Sequence, residues 1–342
     1  MKDSPSITIR RDNIFQMLLD LYQDKSFCLH AFPFMTFAGE KGEDFNGLKR
    51  EVYTLFWQQT YIKLFEGAGS HIPMSTPEVT DELLTKLGRI ASHGFVVSGV
   101  FPLNISKPFI LSSLHCDTTL TDDELLNSFL QFHTEKERGV LANALTYTSG
   151  RSFPEDIQEE LVDILEAYNF RRIPTPSTLK PQLVTIARRE LVHKVSWAAK
   201  PFGQGLADCH DMWQDVTRQE VDHLYATMMP TSKAILGLLR VDEATITIGQ
   251  KTVMGYMKRF IRNADEATLT KTLRFVTGCD TITVDAIDVT FHRNIGTIPE
   301  ITAHTCSATL DLPSNGYVSF SDFQSQLMSI LNSSEAWVFN VV

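Results

Sequence analysis

The chain has 342 residues, with 31 Lys and Arg against 41 Asp and Glu, a formal net charge of −10 at pH 7. Hydrophobic residues at 43% and charged residues at 21% are ordinary for a globular protein, which excludes a disordered or low-complexity scaffold, and the length suits roughly two domains. The acidic balance excludes an electrostatic footprint for phosphate backbones, so nucleic acid is not an expected partner.

The opening Met1-Lys2-Asp3-Ser4-Pro5 lacks an apolar signal region, and the most apolar stretch, 94–105, is broken by Ser98, Pro102 and Asn104. No membrane association is expected, and the protein is placed in the cytoplasm or nucleus. Five cysteines, at 28, 116, 209, 279 and 306, form no C-x-x-C pair. Reduced thiols are therefore expected, with neither a disulfide framework nor a metal site.

In chain order, Ile7 and Ile9 predict a short strand over 6–11, and Ile14, Met17, Leu18, Leu21 and Tyr22 follow at helical spacing. A loop with three glycines, 39–47, opens a helix whose predicted apolar face is Leu48, Val52, Leu55 and Phe56. After Pro73 and Pro77, Asp81 is the expected cap of a helix burying Leu83, Leu84, Leu87, Ile90 and Ala91. From 117 to 200 the pattern stays helical, with faces at Leu125/Leu126/Phe129, Ile157/Leu161/Ile164 and Leu183/Ile186/Ala187 and an interruption at Pro174, Pro176 and Pro181. One long helical region is predicted over 217–239.

Beyond a break near 244–249 the texture changes. Helical faces at Val253/Met257/Phe260 and Leu269/Leu273/Val276, the latter stopped by Gly278, precede alternations at Ile282/Val284, Ile287/Val289/Phe291 and Ala308/Leu310/Leu312. A helix over Phe320–Leu331 and a strand at Trp337/Phe339/Val341 end the chain. The expected fold class is α+β: a mostly α part of about 245 residues and a smaller α/β part of about 90.

Motifs for nucleotide chemistry are absent. Gly67-Ala68-Gly69 has no third glycine, no following Lys-Ser/Thr and no preceding strand, so it reads as a turn and no cofactor is expected. Of the cysteines, Cys306 stands out, because in His304-Thr305-Cys306 an extended chain puts the imidazole and the thiol on one face. Such a neighbour can activate a thiol for nucleophilic attack; a satisfied structural cysteine is the alternative. Asp44, in the glycine loop, and Glu51, beside the apolar stripe of the next helix, form an acidic pair, which helix N-terminal preference also accounts for.

Several motifs together carry a resemblance. Arg10-Arg11-Asp12-Asn13, the run Gly39-Glu40-x-Gly42-x-Asp44-x-x-Gly47-Leu48-x-Arg50-Glu51, Leu87-Gly88-Arg89-Ile90 with Pro108-Phe109, Leu273-Arg274-Phe275-Val276-Thr277-Gly278, Ala303-His304-Thr305-Cys306, Leu310-Asp311-Leu312-Pro313 and Phe339 fourth from the end stand in one order across the chain. The whole resembles the HECT domain of ubiquitin-protein ligases, and Leu183–Lys194 is similar to the branch called G2/M phase-specific ubiquitin ligase-like. This resemblance implies a bilobal fold: an N-lobe over 1–245, with a helical part at about 117–200 that meets the conjugating enzyme, a hinge at 246–252, and a C-lobe over 253–342.

It further implies a ubiquitin-protein transferase whose partners are ubiquitin, a conjugating enzyme and a protein substrate. Cys306 would hold ubiquitin as a thioester, flanked by His304 and Thr305; Asp44 and Glu51 would receive the proton of the incoming lysine, and Phe339 would dock the lobes for transfer. Two positions depart from the family pattern: Ser307 replaces a large residue, and Asn315-Gly316 makes an unusual turn. The alternatives are a catalytically weak binding module of the same fold, and a cysteine hydrolase using His304 and Asp311.

Overall fold

The computed structural model describes residues 6–30, 32–40, 46–114, 120–147, 150, 152–170, 172, 174–242, 244–293 and 300–333, with the side chains of 29 and 30 left out. It is a mixed α and β structure, mostly helical. The chain divides into two compact units: Met1–Gln58 with His93–Phe101 and His223–Val342, and Gln59–Ser92 with Pro102–Asp222. Among the described residues no helix is long and apolar enough to cross a membrane.

The first unit begins with β1 (Ser6–Ile9), α1 (Ile14–Leu21) and β2 (Phe34–Phe37). β1 and β2 pair in parallel, Ile9 opposite Phe37, and bury Ile9, Met35 and Phe37. Next comes α2 (Gly47–Leu64), with residues 47–58 in this unit. One apolar face was expected on it, yet Arg50, Glu51, Tyr53, Thr54 and Trp57 are buried alongside Leu48, Val52 and Phe56, while Leu55 is only half-buried. Surrounded by protein, the helix carries its polar groups inward, where each needs a partner. The Tyr22 hydroxyl, for example, lies 2.6 Å from both the Tyr53 hydroxyl and His93 Nδ1.

The same unit holds a second core. Here α3 (Ser232–Leu238), β3 (Leu239–Arg240), α4 (Ile248–Asn263), α5 (Glu266–Thr277), β4 (Ile287–His292), β5 (Thr302–His304), β6 (Thr309–Pro313) and α6 (Phe320–Asn332) follow in order. The sheet runs β3-β4-β6-β5; β3 and β6 lie parallel to β4, and β5 is antiparallel to β6. Ile287, Val289, Leu310 and Leu312 pack with Val253, Met257 and Phe260 of α4, Leu273 and Val276 of α5, and Phe323 and Leu327 of α6. Burying such a side chain stabilises the fold by about 1.5–3 kcal/mol, so these helices, read from their 3.6-residue spacing, hold the sheet.

Several expectations need correction. Ile235 belongs to the α/β core and β3 to its sheet, ahead of the expected boundary at 253. Within the supposed hinge, Thr247 caps α4 in a capping box with Gln250, and 248–252 are already helical. The helical region over 217–239 comprises two helices, Arg218–Met228 and Ser232–Leu238, because Pro230 has no N–H to continue the ladder. Ile282 and Val284 lie in irregular chain, not a strand. Trp337, Phe339 and Val341 lie outside the described residues.

The second unit is helical, with Lys107–Ser113, Asp122–Phe132, Glu135–Leu145, Glu155–Glu166, Leu179–Arg188 and Ser196–Cys209 as its main elements. Thr80, not Asp81, caps the helix that starts at Asp81: its hydroxyl accepts from the amide of Leu83 at 3.2 Å. The helix over 196–209 crosses its neighbours closely enough that a Cβ on Gly205 would stand 2.0 Å from the Thr85 carbonyl, and one on Gly203 1.9 Å from that of Ser113. Only glycine permits that approach.

Candidate functional site

Cys306 sits in the four-residue turn 305–308 joining β5 to β6, where His304 pairs with Thr309. The thiol is in no disulfide and is partly exposed. Ala308 closes the turn at φ 51, a left-handed conformation unusual for a residue with a Cβ. Ser307, the departure noted above, serves the turn: its hydroxyl lies 2.8 Å from Thr309 Oγ1 and donates to the His304 carbonyl at 3.4 Å. Because extended chain stops at His304, the alternation that would put imidazole and thiol on one face does not reach Cys306. His304 is exposed at the strand end.

The N-terminal turn of α2 packs against this hairpin. A Cβ on Gly47 would lie 2.8 Å from Thr305 Oγ1 and 2.9 Å from the Cys306 amide nitrogen, so the first helical residue has no room for a side chain. One turn on, Arg50 Nη2 donates to the Thr305 carbonyl at 2.6 Å. Arg50 is 6% exposed; burial holds its guanidinium below the ordinary value, while the Cys279 and Cys306 thiols pull the other way.

Glu51, the proton acceptor that the resemblance implies, is engaged by two arginines. It is 2% exposed; Oε1 accepts from Arg274 Nη2 at 2.6 Å and from Arg11 Nη1 at 3.2 Å, and Oε2 from Arg274 Nε at 3.2 Å. Arg11 also holds Glu40, at 2.6 and 3.2 Å, and lies 3.9 Å over the Phe37 ring. Arg274 Nη1 donates to Gln58 at 3.1 Å. Both carboxylate oxygens are thus engaged, and Glu51 ties α2 to α5 and to the segment after β1. Asp44 and Phe339 lie outside the described residues.

The other cysteines differ from Cys306. Cys279 is fully buried, and burial pushes its thiol up to about 11, which keeps it protonated and inert. Cys28 and Cys209 are each buried, and neither is a free thiol, so the expectation of reduced thiols does not hold for them. Cys116 lies outside the described residues.

Asp311, required by a hydrolase triad, is engaged elsewhere: it accepts from Thr290 Oγ1 at 2.8 Å and pairs with His292 Nδ1 at 2.8 Å. At Gly67-Ala68-Gly69 the amides of residues 68, 69 and 70 donate to the carbonyls of Phe132 and Gln131 at 2.8–3.0 Å. A two-residue strand, Phe65–Glu66, directly precedes the segment, against the expectation that none does.

The residues that reasoning from sequence gave no role are Gly47, Arg50, Arg274 and Arg11. All but Arg11 stand next to a residue already singled out, but an arginine on a predicted helix reads as solvent-facing unless its face is known to be covered. No family model matches the chain, and no curated protein matches it either.

Proposed function

We propose that the chain is a HECT-type ubiquitin-protein transferase. The observation that carries this reading is the placement of Cys306: a partly exposed thiol outside any disulfide, at the tip of a hairpin, seated on the start of a helix that brings Gly47, Arg50 and Glu51 together. A thiol that must meet the carboxyl terminus of another protein has to project, and a turn between two strands projects it on a rigid support.

In this reading the Cys306 thiolate attacks the thioester carbonyl of a charged conjugating enzyme; a new C–S bond forms and the enzyme's sulfur departs. A substrate lysine then attacks the Cys306 thioester, forming the isopeptide bond. Splitting the transfer in this way is nucleophilic catalysis between groups of similar leaving ability. The α/β core would be the C-lobe, and the non-helical residues 229–231 at Pro230 supply a link ahead of it that can bend. The helical segment at about 117–200 would recruit the conjugating enzyme. The thioester chemistry itself needs no cofactor or metal.

Incubation with activating enzyme, a panel of conjugating enzymes and ubiquitin tests this. A ubiquitin adduct on Cys306 that thiols remove is expected, and Cys306→Ala should abolish it while Cys279→Ala retains it. Full ubiquitin transfer by Cys306→Ala would overturn the proposal. A second reading, a binding module of the same fold without turnover, is favoured by Ser307 in place of a large side chain; it predicts ubiquitin or conjugating-enzyme binding with no adduct.

A further inference from the structure

Helix α2 brings to the Cys306 turn a buried cation with no carboxylate partner among the described residues. Arg50 is 6% exposed, its Nε has no hydrogen-bond partner, and among the described residues no carboxylate pairs with it. Burying a guanidinium in that state is costly, since desolvation of a full charge is offset only by a well-placed partner. The neighbouring acid does not help, because Glu51 is held by Arg274 and Arg11. What Arg50 does hold is the carbonyl of the peptide bond leading into Cys306, at 2.6 Å. Of the two thiols near it, Cys279 is 0% exposed, so only Cys306 can carry a bulky acyl group.

We propose that Arg50 is the positioning residue of the Cys306 turn, seating it on α2 for acyl transfer and placing a buried positive charge close to the sulfur that must leave. The inference rests on the ubiquitin-transfer reading. In the second half of that reaction the neutral lysine amine attacks the thioester carbonyl carbon. The C–N bond forms, the C–S bond breaks, the electron pair leaves with the Cys306 sulfur, and the proton of the new ammonium passes to water. Negative charge reaches the sulfur only as the bond breaks, so a fixed cation there favours the transition state over the neutral thioester. The contact to Thr305 fixes where the sulfur stands, and Gly47 lets the turn approach that closely.

The test uses the full chain, charged with ubiquitin and chased with free lysine in a single turnover, as wild type, Arg50→Met and Arg50→Lys. Iodoacetamide labelling at Cys306, read peptide by peptide, runs alongside. Arg50→Met should keep its melting temperature, charge nearly normally, discharge about 10–100-fold more slowly, less than is lost with a direct oxyanion donor, and label more slowly; Arg50→Lys should recover part of both rates. Discharge and labelling of Arg50→Met at wild-type rates would overturn the inference.

If the wild type does not charge at all, the transfer reading fails, and labelling then decides the Arg50 inference alone: slower labelling in Arg50→Met supports it and an unchanged rate overturns it. Should Arg50→Met fail to fold, Gly47→Ala takes its place, since its Cβ would press on the Thr305–Cys306 backbone. Slower discharge with retained charging is expected for it, and an unchanged discharge rate would count against the seat.

Discussion

Glu51 illustrates how burial redefines a side chain. An acid next to a glycine loop invites a role in proton transfer, but a carboxylate with both oxygens bonded to guanidinium groups cannot approach an incoming amine. Its removal would leave Arg274 and Arg11 facing a neutral amide in a largely buried place. We expect Glu51→Gln to destabilise the fold by about 3 kcal/mol, the lower end of the cost of breaking a buried pair, as read by urea denaturation. A variant with unchanged stability and slow ubiquitin discharge would restore Glu51 to the reaction. At the same scale, Cys279 and Cys306 should separate cleanly: in a Cys116→Ser background at neutral pH, a thiol reagent should label Cys306 in the native state and Cys279 only on unfolding.

Among elements, the helices were the most legible part of the sequence, because α4, α5 and α6 repeat their apolar residues at helical spacing and meet a sheet that needs covering. The helix over 196–209 was hidden for a physical reason: Pro201, Gly203 and Gly205 punctuate it, and the glycines are there for close packing, not for a turn. The Cys306 turn was obscured too, since Ala308, Leu310 and Leu312 alternate like one strand, whereas Ala308 in fact adopts the left-handed conformation.

Charged caps give this scale its own prediction. Thr121 and Glu124 form a capping box at the helix over 122–132, and the hydrogen bond from Arg218 is the main reason the Glu124 carboxyl is held down at about 2. A carboxyl lowered on folding contributes stability above its ordinary value near 4.5, and that contribution is lost as the pH falls through 2. Melting temperature should therefore drop between about pH 4.5 and 2 in the wild type. The drop should be smaller in Glu124→Gln, and identical slopes would show that this pair contributes nothing.

For the whole molecule, the mixed α and β class and the order of textures along the chain were readable from composition and periodicity. The division into compact units was not. Each unit is assembled from separate stretches of sequence, and periodicity reports neighbours along the chain, never the return of a distant one. The site shares that property: Cys306 was visible as a residue, but its seat on α2 was not, since the contacts that define it join residues far apart in sequence.

That separation has a consequence for synthesis. Arg50 and Thr305 are 255 residues apart along the chain, and at about 5–20 residues per second the ribosome needs about 13–50 s to travel from one to the other. Throughout that interval α2 has been made and its cation has no carbonyl to hold. The hairpin that answers it emerges only after residue 305 has been made. Any nascent or prematurely terminated chain that stops short of β6 therefore lacks the reactive thiol in its seat, so only a chain synthesised through β6 can present the site.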